Sequence, residues 1–126
     1  MKLRVRGDSL RLRLTRGEVQ QLAHSGTVEE RVHITADGVL VYRLRRTASV
    51  ATLAATFNNG VVEIQVPETQ AREWCASELV TLEHVQPHGK VRLRIVVEKD
   101  YACLAPRADE DESDAFAHPN DGSAKC

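Results

Sequence analysis

The sequence predicts an α+β domain made of two ββαββ units, whose eight strands form a mostly antiparallel, barrel-like or half-open sheet with two short helices. Three observations carry that expectation. Apolar residues alternate with arginines through LRVRGDSLRLRL near the start of the chain, the period of two that marks half-buried strands. Tight-turn sequences recur between apolar runs, as Gly7-Asp8-Ser9, Ala36-Asp37-Gly38, Asn58-Asn59-Gly60 and Pro87-His88-Gly89. Shifting the sequence by about 52 residues lays turn on turn, helix on helix and hairpin on hairpin, which predicts a duplication with units at 1–46 and 47–100.

The elements follow in order. Leu3 and Val5, then Leu10, Leu12 and Leu14, give a first hairpin one apolar face, and its other face holds Arg4, Arg6, Arg11 and Arg13. Thr15-Arg16-Gly17-Glu18 fits a capping box, so a helix starts there, turns Val19, Leu22 and Ala23 inward and ends near Ser25-Gly26. Val28, Val32 and Ile34 mark the third strand, and residues 39–44 the fourth. In the second unit, residues 50–57 and 61–66 read as a hairpin, and Pro67 as the first turn of a helix whose Ala71, Trp74 and Cys75 face the core. Residues 79–85 and 90–97 close the unit as a last hairpin. The shift places Leu22 on Trp74, Ala23 on Cys75 and Val28 on Val80. One flat sheet of eight strands would leave long edges unpaired, so closure is expected, with the helices plugging the ends or packing on one side.

Composition narrows the class. A chain of 126 residues, 42% hydrophobic and 28% charged, is expected to be one soluble globular domain. No apolar run is long enough to cross a bilayer and MKLRVRGD holds no hydrophobic signal region, which predicts a cytoplasmic protein without a membrane partner. Three cysteines, an odd number, point to a reducing compartment and away from a disulfide framework. The net charge of -1 hides an asymmetry: residues 1–46 hold ten Lys/Arg against five Asp/Glu, whereas residues 101–126 hold two against six. A basic front and an acidic back attract each other.

Beyond Asp100 the periodicity stops. Pro106, Pro119, Gly122 and the run Asp109-Glu110-Asp111-Glu112 predict an irregular tail over residues 101–126, packed on the domain through Tyr101, Leu104 and Phe116. The segments EKDYACLAPR and EDESDAFAHPN, with the opening LRVRGDSLRLRLT and the middle VPETQAREW, resemble an uncharacterised family of small bacterial proteins over nearly the whole chain. That resemblance implies that the tail belongs to the domain and supplies no catalytic residues. The duplication also resembles, in topology, the triphosphate-tunnel barrels. Their first strand alternates as Glu-x-Glu-x-Lys, whereas this chain has Lys2-x-Arg4-x-Arg6, which removes the metal-binding carboxylates.

Two places offer chemistry. In the tail, Cys103, His118 and Cys126 supply two thiolates and an imidazole, with Asp114, a terminal carboxylate or water as a fourth ligand, a donor set suited to zinc or another transition metal. Their spacing matches no standard finger. Cys103 and Cys126 also define a redox pair, which the acidic neighbours disfavour by raising thiol pKa. A calcium loop over the acidic run is excluded, because it lacks the turn glycine and ends on Asn120 instead of a glutamate.

The second place is the arginine face. Arg4, Arg6, Arg11 and Arg13, joined by Arg43, Arg45, Arg92 and Arg94, form an anion site if they line a barrel interior, and a charged surface if they point outward, as antiparallel sheets favour. Nucleic acid would call for exposed aromatics beside them, and only Tyr42 and Trp74 lie near. His24, His33, His84 and His88 have no nucleophile or acid at a recognisable offset, and no hydrolase, phosphate-loop or zinc-protease motif occurs. The sequence therefore favours a small binding or accessory protein over an enzyme, with a metal site in its tail. The alternatives are a barrel that holds a phosphorylated or other anionic small molecule through its arginines, and a module that docks on a protein partner.

Overall fold

In the computed structural model, which describes residues 1–101 together with Asp114 and Phe116, the eight strands and two helices are present. The first unit comprises β1 (Lys2–Val5), β2 (Ser9–Leu14), α1 (Arg16–Ser25), β3 (Thr27–His33) and β4 (Val39–Thr47). The second comprises β5 (Ala54–Asn58), β6 (Val61–Pro67), α2 (Glu68–Ala76), β7 (Thr81–His88) and β8 (Val91–Lys99). The strands form two four-stranded sheets, ordered β1-β2-β8-β7 and β3-β4-β6-β5, and not a closed barrel. Each sheet takes one hairpin from each unit and joins them through a parallel central pair, β2 with β8 and β4 with β6. Exchanging the two units converts one strand order into the other.

Each helix carries the chain from one sheet to the other. Both helices therefore lie at one end of the sheets, and the four hairpin turns lie at the opposite end. Asn59 and Gly60 both take positive φ, 51° and 75°, as the tightest hairpin turns demand. Leu12, Leu14, Leu82, Ile95 and Val97 of the first sheet meet Val28, Leu44, Ile64 and Val66 of the second in one core, closed by Leu22, Ala71 and Trp74 from the helices. The alternation thus sends the leucines of β2 inward and its arginines outward.

Side chains bridge the two seams where ladder hydrogen bonds would close a barrel. At the seam between β7 and β5, the Gln86 amide accepts from the Ala55 N–H at 2.7 Å and donates to the Ala55 carbonyl at 3.2 Å, covering part of an exposed strand edge. At the seam between β1 and β3, the Met1 ammonium bonds Glu30 at 3.1 Å and also Glu18, while the Tyr42 hydroxyl donates to the Met1 carbonyl at 3.1 Å.

The capping box of α1 forms as predicted: the Glu18 N–H donates to Thr15 Oγ1 at 3.3 Å and the Thr15 N–H to the Glu18 carboxylate at 2.9 Å. At the other end of α1, Arg46 donates to the carbonyls of Leu22 (3.0 Å) and Ala23 (3.3 Å) and reaches Glu68 in the first turn of α2. One guanidinium thereby answers the negative end of one helix and holds the acidic start of the next.

Four details differ from the sequence expectations. Strand β5 begins at Ala54 and not at Val50, because Thr47 Oγ1 accepts from the Ser49 N–H at 3.2 Å and turns the chain. Leu79 and Val80 sit exposed in the link that follows α2, so the counterpart of Val28 is Leu82: Val28 faces Leu44 and Leu82 faces Val97. The cause is a link of residues 77–80 where α1 passes into β3 through Gly26 alone, at φ 84°. Pro67 closes β6 and takes the N-cap position, one residue before the first turn, and Cys75 is half-buried beside the core instead of within it. No helix among the described residues is long and apolar enough to cross a membrane.

Candidate functional site

The register of the first hairpin places Arg4 opposite Arg11 and Lys2 opposite Arg13. Like charges directly across an antiparallel pair repel, so local sheet energetics alone give no reason for this row. Across the parallel pair, Ser9 stands opposite Arg94 and Arg13 opposite Glu98. Arg4, Arg6, Ser9, Arg11 and Arg94 together line a depression of about 300 Å³ on the outer face of the first sheet. Arg11 forms its floor, only 7% exposed, and lies 3.4 Å from the Glu98 carboxylate, which Arg13 also bonds at 2.5 Å. Arg94 donates to Glu83 at 2.6 Å, and Arg4 and Arg6 are exposed at the rim.

Of the four arginines singled out from the first hairpin, Arg4, Arg6 and Arg11 therefore come together, and Arg13 lies one step along, turned to Glu98. They point away from the core, the outward arrangement that antiparallel sheets favour. The alternation of Leu and Arg fixed that direction once the leucines were needed in the core. Ser9 was read from the sequence only as part of a turn, and the register that brings it to Arg94 depends on a parallel contact between units that no local pattern signals.

Arg43 and Arg45 belong to a different surface. On the outer face of the second sheet, Arg31, Glu29, Arg43, Glu63 and Arg45 form a continuous chain of ion pairs at 2.7–3.3 Å. Glu63 also accepts from Gln65 at 2.7 Å. The Arg45 hydrogen bond, aided by Gln65 and Arg43 and opposed by burial, lowers the Glu63 carboxyl to about 2. Exchanging the units sets Arg11 on Glu63 and Arg4 on Thr56, so each sheet joins one glutamate to two arginines across its parallel pair, with the acid on opposite strands.

A profile for a family of unknown function, DUF7009, matches residues 1–120. The chain belongs to that family. No curated protein and no solved structure matches it. The DUF7009 span covers both sheets, both helices and the acidic run at residues 109–112, and it ends before Cys126.

Cys103, His118 and Cys126 lie outside the described residues. Asp114 and Phe116 are exposed, and Tyr101 is 54% exposed. No group of three or more His, Cys, Asp or Glu side chains that could hold a metal occurs among the described residues. His24 donates from Nδ1 to the Gln20 carbonyl at 2.7 Å in the last turn of α1.

A second concavity of this DUF7009 protein runs between the helices. Leu14, Val19, Cys75, Lys99 and Tyr101 border a space of about 510 Å³, and Cys75 borders another of about 390 Å³ with Ala23, Arg46 and Ala71. Burial pushes the Cys75 thiol pKa up, against the opposing charges of Lys99 and Arg46, so it is not an activated thiolate.

Proposed function

We propose that this protein binds a phosphorylated or otherwise polyanionic small molecule in the arginine depression of its first sheet. The observation that supports the reading is the convergence of four guanidinium groups and one hydroxyl on a single concavity, built on strands whose cross-strand neighbours are themselves cationic. Guanidinium groups keep their charge at every physiological pH and meet phosphate or carboxylate oxygens in pairs of parallel hydrogen bonds. The strands hold Arg11 in place through Glu98, while Arg6 at the rim is free to close on a ligand. Charge and hydrogen-bond donors are what this lining offers, which suits a cytoplasmic binding or accessory protein. The matching topologies of the two sheets, and the 52-residue spacing of Leu12 and Ile64, support an internal duplication in which the first outer face became cationic.

Thermal unfolding with inorganic tripolyphosphate tests the reading. The melting temperature of the full chain rises with ligand and the rise fades in about 0.5 M salt, because exposed charges are then screened within a few ångströms. Arg6→Ala weakens binding roughly tenfold or more, the loss of one charge-assisted contact. Arg72→Ala, on the exposed face of α2, leaves binding unchanged. Stabilisation that survives Arg6→Ala, or that Arg72→Ala removes equally, contradicts the site.

A further inference from the structure

We infer that two copies of this chain associate head to head through the turn end of their sheets, each covering the open apolar mouth of the other. The inference is independent of the anion-binding reading.

At the helix end the core is covered by Leu22, Ala71 and Trp74. Among the described residues, no element caps the turn end, and the inward faces of the strands continue there past the packed layer. Val5 pairs with Leu10 and Phe57 with Val62, which sets both on the inward side of their sheets, yet they are 64% and 69% exposed. Val32, opposite Leu40, and Val91, in alternation with Leu93 and Ile95, are exposed as well, and so is Ile34 beyond the end of β3. The half-buried side chains of Leu10, Leu40 and Leu93 form the floor.

Area comes first. The five exposed side chains present about 500 Å² of apolar surface, at the upper end of what a monomer shows in one patch. A stable interface buries about 800 Å² on each partner, roughly 60% of it apolar, which is about the same 500 Å². The mouth with its rim of turns is therefore the size of one side of a dimer contact.

Shape and charge select a second copy as the occupant. A shift of 52 residues carries Val5 to Phe57 and Leu10 to Val62, so the mouth has two apolar lobes related by the exchange of the units. Val5 lies beside the seam of β1 and β3, and Phe57 beside that of β5 and β7. A half-turn in the plane of the mouth lays one lobe on the other, the self-matching that a twofold contact requires. The rim follows the same rule. The β3–β4 and β7–β8 hairpins stand opposite each other and rise beyond their neighbours: β4 starts at Val39 but meets β6 from Val41, and β8 starts at Val91 but meets β2 from Arg94. One tip carries the exposed Asp37 and the other the exposed Lys90. The half-turn sets Asp37 of each copy toward Lys90 of the other, two opposite-charge contacts at the rim. A polyanionic or polycationic partner would match one tip and repel the other.

Sedimentation equilibrium of the full chain from about 1 to 200 μM reads the association. The native chain dimerises within that range. Phe57→Asp weakens dimerisation at least about thirtyfold, the loss of a central aromatic anchor. Its circular dichroism stays native, because the ring is mostly exposed. Leu79→Asp, at an exposed apolar position near the helix end, leaves dimerisation unchanged. Asp37→Lys alone weakens it about tenfold, and adding Lys90→Asp restores it. A full chain that stays monomeric throughout overturns the inference, whatever else covers the mouth. So does a Phe57→Asp chain that dimerises like the native one, an equal loss in Leu79→Asp, or a double reversal that recovers nothing.

Discussion

Trp74→Ala lowers the free energy of unfolding by about 3–5 kcal/mol, the usual range for deleting a large aromatic from a packed core. Trp74 is fully buried and is the largest of the completely enclosed side chains. It stands where α2 meets both sheets, so its removal opens a cavity shared by all layers of the core. The indole does more than fill space. Its Nε1 donates to the Val80 carbonyl at 2.9 Å, fixing the link between α2 and β7, and the Lys99 ammonium sits 5.4 Å from the ring centroid. A domain of this size has about 5–15 kcal/mol of net stability, so the substitution leaves a marginal fold. Urea denaturation of the two chains measures the difference. Trp74→Phe keeps most of the volume and loses the hydrogen bond, for a cost of about 1–3 kcal/mol. A loss below about 1 kcal/mol for Trp74→Ala would show that the core is not organised around this ring.

Glu63→Gln lowers stability by about 2–3 kcal/mol at pH 7, toward the lower side of what removing one partner from a buried ion pair costs. Glu63 accepts from Arg43, Arg45 and Gln65, and without its charge two adjacent arginines of β4 share a neutral amide. The two guanidinium groups are 31% and 39% exposed, which lets water screen part of the effect. The same residue predicts an acid limb. Its carboxyl lies at about 2 in the folded protein, below the ordinary carboxylate value, so the unfolded chain takes up its proton first as pH falls. The stability it contributes is complete above that ordinary value and disappears as pH drops toward 2. In Glu63→Gln, stability between pH 5 and 2.5 falls less steeply than in the native chain, measurable by urea titration across that interval. Parallel pH profiles for the two chains would remove Glu63 as a source of acid sensitivity.

Much of the architecture was legible because it is written locally. Leu10, Leu12 and Leu14 against Arg11 and Arg13 fix both the strand and its inward face. Thr15 with Glu18 fixes the start of α1, and Asn59-Gly60 fixes a turn that other residues adopt with difficulty. Apolar content without a partner misled: Val50, Leu79 and Val80 look like strand residues, yet two lie in exposed links and one precedes its strand, because nothing stands opposite to pair with them. The site was legible only in part for a related reason. Arg4, Arg6 and Arg11 share a face by simple alternation, whereas Ser9 and Arg94 join them through a parallel pairing between strands more than 80 residues apart. Likewise, the sequence could not separate Arg43 and Arg45 from that group, since their assignment depends on which sheet β4 enters.

The most direct test of the anion-binding account is a crystal structure of the full chain grown with tripolyphosphate. The account predicts phosphate oxygens at hydrogen-bonding distance from Arg4, Arg6, Arg11 and Arg94, with the Ser9 hydroxyl beside them. Phosphate density on the second sheet or between the helices, with the first-sheet depression holding only water, would contradict it.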